Sequence, residues 1–258
     1  MKRLLTGIAL GIGLMFGAPA VAQPAMTAAE TSDLQLVERA YTAFSQGGYA
    51  AIQPLLPELR AALDAAPASQ PSVEIGDDYI IVRAASQSQA ILLMALASAV
   101  APDDGRDRPV VTAPSIYPHI ALLLASDAVE HGRYAEALGY TGRGLAIQPD
   151  SPPLILEHSI ALLALDRDAE ALEMIDTALA SGSILLMEFE APLLRRRGAT
   201  LMELGRLDEA RTAYERSLEV EPDHPGALHQ LRIIESAEAG EDIGDFEVVT
   251  AAEAAGAD

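Results

Sequence analysis

Apolar residues return every three or four positions through the second half of the chain, which is the spacing of one face of an α-helix. The clearest run contains Ile120, Leu124 and Ala128, and comparable runs begin at Ile155 and Leu193. This pattern predicts three pairs of helices followed by one amphipathic helix. The predicted bounds are 118–147, 152–180, 191–220 and 226–236.

Turn residues interrupt the pattern at a fixed spacing. Gly132 and Gly205 stand where the first helix of a pair must turn sharply into the second, which glycine permits. Pro149 and Pro222 each follow 17 positions later and end the second helix, because proline cannot continue one. Asp166 occupies the corresponding turn of the middle pair. The chain therefore contains three copies of a two-helix unit.

The period of these units is close to 34 residues. Ala137 and Ala171 stand 34 positions apart, and Ala210 follows 39 positions later, which places a short insertion near 181–187. A larger side chain at these three positions would hold the two helices of a unit apart. Helix pairs with this period resemble the tetratricopeptide repeat, and the resemblance covers residues 118–235. It implies a stack of antiparallel helix pairs, capped by the last helix, that binds other proteins.

Two features depart from the family pattern. The middle unit has Asp166 in place of the turn glycine, and it lacks a closing proline. The second helix of the first unit contains Gly139, Gly142 and Gly144, each of which costs about 1 kcal/mol relative to alanine. Because the motifs recur three times in register, the predicted fold class remains mainly α, with about three tetratricopeptide-like helical-hairpin repeats.

The first half of the chain, residues 23–117, is less regular. Leu34–Phe44 predicts a helix, and Gln46–Ala50 resembles the turn of a degenerate repeat. Pro54 and Pro57 interrupt the helix that would follow. The sequence therefore leaves open whether a fourth repeat precedes the other three.

A small mixed element follows in the first half. Val73–Ile75 and Tyr79–Val82 flank a Gly-Asp-Asp turn and predict a β-hairpin. Ser86 is a candidate cap for a helix that runs through Val100. Val110–Thr112 is a candidate third strand.

The N-terminus has the pattern of a secretory signal. Lys2 and Arg3 precede the apolar run Leu4–Phe16, and Ala20-Val21-Ala22 matches the small-x-small cleavage pattern. The apolar run is shorter than the roughly 18 residues that a spanning helix needs, so cleavage is favoured over an uncleaved anchor. We therefore expect residues 1–22 to be a signal peptide, and the protein to be periplasmic in, or secreted by, a bacterium.

The charge of the chain restricts its partners. The net charge is −21, and removal of residues 1–22 takes away the two positive charges there and makes it −23. Such an acidic protein repels phosphate backbones, so we expect no nucleic-acid partner. No later segment is long and apolar enough to span a membrane, so we expect no membrane span after cleavage. Residues 236–258 contain seven acidic residues and no basic one, which predicts an acidic disordered tail. Phe246–Val249 would be a docking motif in the alternative interpretation of that tail.

The sequence offers no pattern for a catalytic residue, a cofactor or a metal. There is no cysteine, and Lys2 is the only lysine. No two histidines have metal-binding spacing on a helix, and Asp103–Asp107 lacks the spacing of a calcium loop. We therefore expect a protein–protein interaction scaffold or adaptor in the bacterial envelope, whose partner is an unidentified protein or peptide.

An enzyme is the alternative hypothesis. An envelope enzyme, or a regulatory subunit of one, would have its site in the mixed element of the first half. A deep pocket lined by Arg83, Asp77, Asp78 or His119 would favour it.

The resemblance also implies a groove, because in the repeat family the inner surface comes from the first helix of each pair. Carried over by register, the predicted groove contains His119, Leu122, Ser126, Leu156, Ile160, Leu163, Arg195, Ala199 and Met202. This mostly apolar lining suits an apolar or amphipathic segment that has a carboxylate near Arg195. Alternatively, residues 156, 160 and 163 are buried against the first half and no groove is open.

Arg195–Arg197 forms the only basic cluster of the mature chain. Successive helical residues point about 100° apart, so the three arginines do not make one patch. Ion pairs with Glu188, Glu190 or Glu203 are the alternative to a groove-facing Arg195.

Overall fold

The first half of the chain contains both helices and three strands, whereas the described residues of the second half form helices alone. The computed structural model describes residues 26–100, 106 and 108–239. The predicted signal peptide and residues 240–258 of the predicted tail lie outside this range. The described residues form two compact units, one of residues 26–127 and 139–149, the other of residues 128–138 and 150–239.

The first unit begins with a bent pair of helices. A reciprocal capping box between Thr27 and Glu30 starts α1 (Ala28–Ile52). Helical geometry breaks at Gly47 and Gly48, and Gly48 has φ 62° and ψ −151°, a region open essentially only to glycine. A 3₁₀ turn then leads into α2 (Leu56–Ala65), which packs against α1. The break lies at the predicted turn 46–50, and this is the helix–turn–helix order that a fourth repeat requires.

A three-stranded sheet follows, in the order β1 (Val73–Ile75), β2 (Ile80–Ala84) and β3 (Val110–Pro114). The first two strands form the predicted antiparallel hairpin. The predicted third strand runs parallel to β2, and α3 (Gln87–Val100) supplies the crossover that parallel pairing needs. The Ser86 hydroxyl accepts a hydrogen bond from the Gln89 amide at 3.2 Å, which confirms Ser86 as the cap of α3.

Helices α4 (Tyr117–Glu130) and α5 (Tyr134–Ile147) contribute residues to both units. Buried hydrogen bonds tie the end of α5 to the sheet within the first unit. The Ser115 hydroxyl donates to Gln148 Oε1 at 2.8 Å, and Gln148 Nε2 donates to the Ser72 hydroxyl at 2.9 Å. These three buried side chains thus satisfy one another, as burial in low dielectric requires.

The second unit continues the helix pairs. Its helices are α6 (Pro152–Leu163), α7 (Asp168–Ala180), the short α8 (Ile184–Met187), α9 (Glu190–Glu203), α10 (Leu207–Val220) and α11 (Pro225–Glu238). Helix α6 packs on α7, α7 on α9, α9 on α10 and α10 on α11. The three predicted pairs and the last helix therefore form at the expected positions, and α8 occupies the predicted insertion. Residues 236–238 of the predicted tail belong to α11.

The turn between the helices of each pair is the same in all three. Gly132, Asp166 and Gly205 have φ of 69°, 56° and 69°. The amide of the arginine that follows each of them donates to a carbonyl five residues back. That arginine then pairs with a glutamate three residues on, in Arg133–Glu136, Arg167–Glu170 and Arg206–Glu209. Asp166 thus adopts the left-handed conformation that glycine provides in the other two turns.

Close helix contacts lie where the small residues predicted them. Ala137, Ala171 and Ala210 have no exposed surface. Gly198 on α9 is equally constrained, since a Cβ atom there would lie 2.7–2.9 Å from three ring atoms of Tyr214 on α10. These contacts let α9 and α10 approach closely around the core of the second unit.

Candidate functional site

Two first helices of the second unit present half-buried side chains at helical spacing. Leu156, Ile160 and Leu163 are partly exposed on α6, and Arg195, Ala199 and Met202 are partly exposed on α9. Residues three and four positions apart share one face of a helix. Helices α6 and α9 also pack against each other. We call these six residues the repeat face.

The remaining three predicted groove residues are buried. His119, Leu122 and Ser126 on α4 are only 8%, 5% and 6% exposed. The Tyr41 hydroxyl lies 2.8 Å from His119 Nδ1, and the two rings meet edge to face. Burial lowers the pKa of His119 to about 4, so the ring is neutral at pH 7. A partner could therefore reach little of these three side chains.

The three arginines of α9 have different surroundings. Arg195 pairs with Glu221 at 2.7 Å, and Arg197 pairs with Asp176 at 2.6 Å. The predicted intramolecular pairing of the cluster is therefore present, but its partners come from α7 and the end of α10. The predicted partners Glu188, Glu190 and Glu203 are not the ones that Arg195 and Arg197 contact.

Arg196 is the exception in this cluster. Its Nε atom is buried and has no hydrogen-bond partner among the described residues. Burial lowers the pKa of its guanidinium, and the attraction of the Glu157 carboxylate on α6 acts in the opposite direction. Sequence reasoning singled out Arg195 and missed Arg196, because helical register does not say which arginine finds a partner on a neighbouring helix.

Met202 contacts more core than the register suggested. It packs against the buried cluster that α7, α9, α10 and α11 build, along with Leu204 and Leu207. Only part of its surface is free, and the other apolar residues of the repeat face are Ala199 on α9 and Leu156, Ile160 and Leu163 on α6. Leu156 and Ile160 are its central residues.

A shallow cleft of about 540 Å³ lies elsewhere on the second unit. Its lining residues are Ala169, Leu172, Glu173, Asp176, Thr177, Leu204 and Arg206. They belong to the second helix α7 and to the turn that follows α9. The lining residues on α7 recur every three or four positions in the sequence, as on one face of a helix. The sequence-based prediction of a groove considered only first helices and therefore missed this cleft.

The residues named for an enzyme site do not converge. Arg83 pairs with Glu74 at 2.7 Å and donates to the Pro71 carbonyl, whereas His119 faces Tyr41. The Asp77 side chain is 93% exposed and pairs with Arg106. Asp78 is exposed as well. No hydrogen bond or ion pair among these contacts links one of the four residues to another.

Two further searches cover the described part of the chain. Within it, no group of three or more His, Asp or Glu side chains is placed to hold a metal ion. Within the same residues, none of the helices has both the length and the apolar character needed to cross a bilayer.

The helix pair of α9 and α10 matches a family of known proteins. Residues 191–224, which include α10 and all but the first residue of α9, match the tetratricopeptide repeat family. Over 108 residues the chain is 32% identical to RNA polymerase II-associated protein 3 of Mus musculus. The matched segment covers 42% of this chain and 16% of that protein. The chain thus spans about a sixth of the length of the curated relatives it matches.

Solved structures of repeat proteins are also similar. The first TPR of Spaghetti (RPAP3) bound to the HSP90 peptide SRMEEVD is 28% identical, covers 48% of this chain and 94% of its own, and has a TM-score of 0.43. A thermophilic TPR protein of Thermus thermophilus is 17% identical, covers 79% of this chain and 98% of its own, and has a TM-score of 0.42. The same turn in three helix pairs, the buried alanines in register and the matched repeat over residues 191–224 show that these pairs are tetratricopeptide-like helical repeats.

Proposed function

We propose that this protein is an interaction scaffold of the bacterial envelope that binds an apolar or amphipathic segment of a partner protein on the repeat face. The observation that carries the proposal is the set of partly exposed apolar side chains on α6, above all Leu156 and Ile160. Folding leaves them on the surface of a helix whose opposite side is fully packed. Helical grooves of this kind bind partner segments through anchors at helical spacing.

The charges beside the repeat face support a partner segment that carries a carboxylate. Arg195 is partly exposed on the repeat face, so an incoming carboxylate can pair with its guanidinium in competition with Glu221. Arg195 already binds Glu221, so its charge is partly neutralised. The match to the repeat family over residues 191–224 supports protein binding as the class of function.

Cross-linking from the repeat face tests where the partner binds. A photo-reactive amino acid at Ile160 should capture the partner from the living host, and mass spectrometry should identify it. The same amino acid at Leu165, an apolar residue 36% exposed in the turn after α6, is the matched control and should not capture that protein. Equal capture from both positions would place the interaction away from the repeat face.

Substitutions then measure the contribution of individual residues. Ile160→Asp should weaken binding of the identified partner by about tenfold or more, because it places a charge in an apolar contact. Leu165→Asp should have little effect. Arg195→Gln should weaken binding of a carboxylate-bearing segment, whereas Arg211→Gln removes an arginine that pairs with Glu235 and Glu238 and should not. If Ile160→Asp binds as tightly as the parent, the repeat face is not the site.

The location in the envelope rests on the N-terminal pattern alone. The basic Lys2-Arg3, the apolar run and the small residues at 20 and 22 support export through a signal peptide. The very acidic remainder of the chain supports a protein partner rather than nucleic acid.

A further inference from the structure

Helix α3 differs from the other helices in charge. None of its 14 residues is acidic or basic. Every other helix of eight or more residues in the described ranges contains at least one aspartate or glutamate. The whole chain has 38 acidic residues, yet α3 in the first unit displays no charge.

One side of α3 is packed and the other is open. Leu93 and Ala97 are 1% and 0% exposed, and the helix packs against β2 and β3. On the opposite side Ile91 is 60% exposed, and Ala95 and Ala99 are exposed at the spacing of the same helical face. Leu92 on the flank of that face is half-buried. The α3 outer face, defined by residues 91, 95 and 99, is therefore apolar, uncharged and uncovered.

We propose that the α3 outer face is the contact through which two copies of this chain associate. A twofold dimer places the same surface on both sides of its interface, so any charge on that surface meets its own copy. Copies with a net charge of −21 repel each other wherever carboxylates are displayed. The α3 outer face lets two such copies meet without bringing carboxylates together.

The geometry of the helix suits self-association. Two α3 helices that cross near Ile91 would place the two Ile91 side chains against each other, and the small residues 95 and 99 of each copy let the helices approach closely beside them. A different protein drawn to this acidic chain would carry basic groups, and α3 offers no carboxylate to receive them. Because α3 has no charge, it neither repels a second acidic copy nor attracts a basic partner.

The expected interaction is weak and depends on salt in a characteristic way. A helix of 14 residues is about 21 Å long, so one helix pair gives an interface at the small end of the range for specific complexes. We therefore expect a dissociation constant in the micromolar range. Salt screens the repulsion between the acidic copies, so the dimer should become tighter as salt is added.

Analytical ultracentrifugation of the protein as its host produces it tests this proposal. The average mass should rise from one chain towards two between about 1 and 100 μM. Ile91→Glu should raise the dissociation constant by about tenfold or more, because it brings like charges together. Met187→Glu adds the same charge at a residue 66% exposed in the other unit, and should leave the dissociation constant unchanged.

A complementation experiment distinguishes the contact from a folding defect. Ile91→Glu and Ile91→Lys should each be monomeric with unchanged circular dichroism, and mixing them should restore the dimer, because opposite charges then face each other. A parent that remains a single chain throughout, or an Ile91→Glu variant that dimerises as the parent does, would overturn the proposal. A monomeric parent that binds neutral lipid vesicles, with loss of binding in Ile91→Glu, would assign the face to lipid and overturn it equally. The repeat-face substitutions leave α3 unchanged, so this test is independent of the proposed function.

Discussion

His119 shows at the scale of one residue how folding changed the meaning of a sequence position. Its register on the first helix of a repeat placed it in the predicted groove, but the side chain is 8% exposed and its Nδ1 atom lies 2.8 Å from the Tyr41 hydroxyl. Register gives the side of a helix on which a residue lies. It does not say whether another part of the chain covers that side, and here Tyr41 comes from 78 positions earlier.

The buried imidazole predicts a specific dependence of stability on pH. The pKa of His119 is about 4 in the folded protein and 6.5 in the unfolded chain, so the unfolded state binds more protons between these values. The neutral His119 ring contributes about 3 kcal/mol to the free energy of unfolding. This contribution is fully present above pH 6.5 and is lost as the pH falls towards 4. Urea unfolding measured from pH 7.5 to 4.5 should therefore show a steeper loss for the parent than for His119→Gln.

The difference between parent and variant isolates this histidine, since the carboxylates that titrate in the same range are common to both. Parallel curves for the parent and His119→Gln would mean that the ring is accessible to protons in the folded protein.

The arginines of α9 show the same limit of local reasoning. Sequence reasoning considered acidic residues on or beside the same helix, whereas Arg195 pairs with Glu221, 26 positions away, and Arg197 with Asp176, 21 positions away. Long side chains on a packed helix reach the neighbouring helices as easily as the adjacent turns. The sequence therefore predicted that the cluster would be paired but not its partners, and it missed Arg196.

At the scale of the element, the repeats were predictable because their turns have strict backbone requirements. The turn of each pair needs a positive φ, and the glycines that supply it recur with closing prolines at a fixed distance. The middle repeat followed from its buried Ala171, although Asp166 breaks the glycine pattern. The hairpin followed from two short runs of β-branched residues that flank a Gly-Asp-Asp turn. The parallel pairing of β3 did not, since it depends on how α3 crosses the sheet.

Asp166 provides the test at this scale. A φ of 56° is strained for an L-residue but not for glycine. Asp166→Gly should therefore raise the free energy of unfolding by about 0.5–1 kcal/mol. Gly205→Ala is the reciprocal variant at the same turn of the next repeat, where φ is 69°, and it should destabilise by about 1–2 kcal/mol. Chemical denaturation of both variants gives the two free energies. A destabilising Asp166→Gly would mean that the aspartate side chain contributes more than its backbone strain costs.

At the scale of the whole molecule, the chain combines two units with different surfaces. The second unit carries the repeat face and most of the ion pairs of the described residues, and the first carries a sheet with an uncharged helix across it. The repeat face consists of six of the nine groove residues that register predicted, whereas the α3 outer face was not predicted, because exposure depends on which faces fold against each other. The acidic composition predicts a protein partner rather than nucleic acid, because such a chain repels phosphate backbones.

The predicted export of the protein belongs to this scale, since it decides which partners the two surfaces can meet. Signal peptidase requires small residues at the positions one and three before the cut, which are Ala22 and Ala20 here. We expect the protein isolated from its host to begin at Gln23 and to appear in the periplasmic fraction or the medium. Intact mass spectrometry measures the first property, and cell fractionation measures the second.

Two substitutions separate cleavage from the other properties of the N-terminus. Ala22→Phe places a large side chain next to the cut and should leave the chain uncleaved in the membrane. Val21→Phe adds the same bulk at the middle position of the motif, which tolerates large residues, and should be processed as the parent is. If the native protein retains Met1, or if both variants accumulate at the same mass as the parent, residues 1–22 are not a cleaved signal. The partner should then be sought on the side of the membrane where the chain is found.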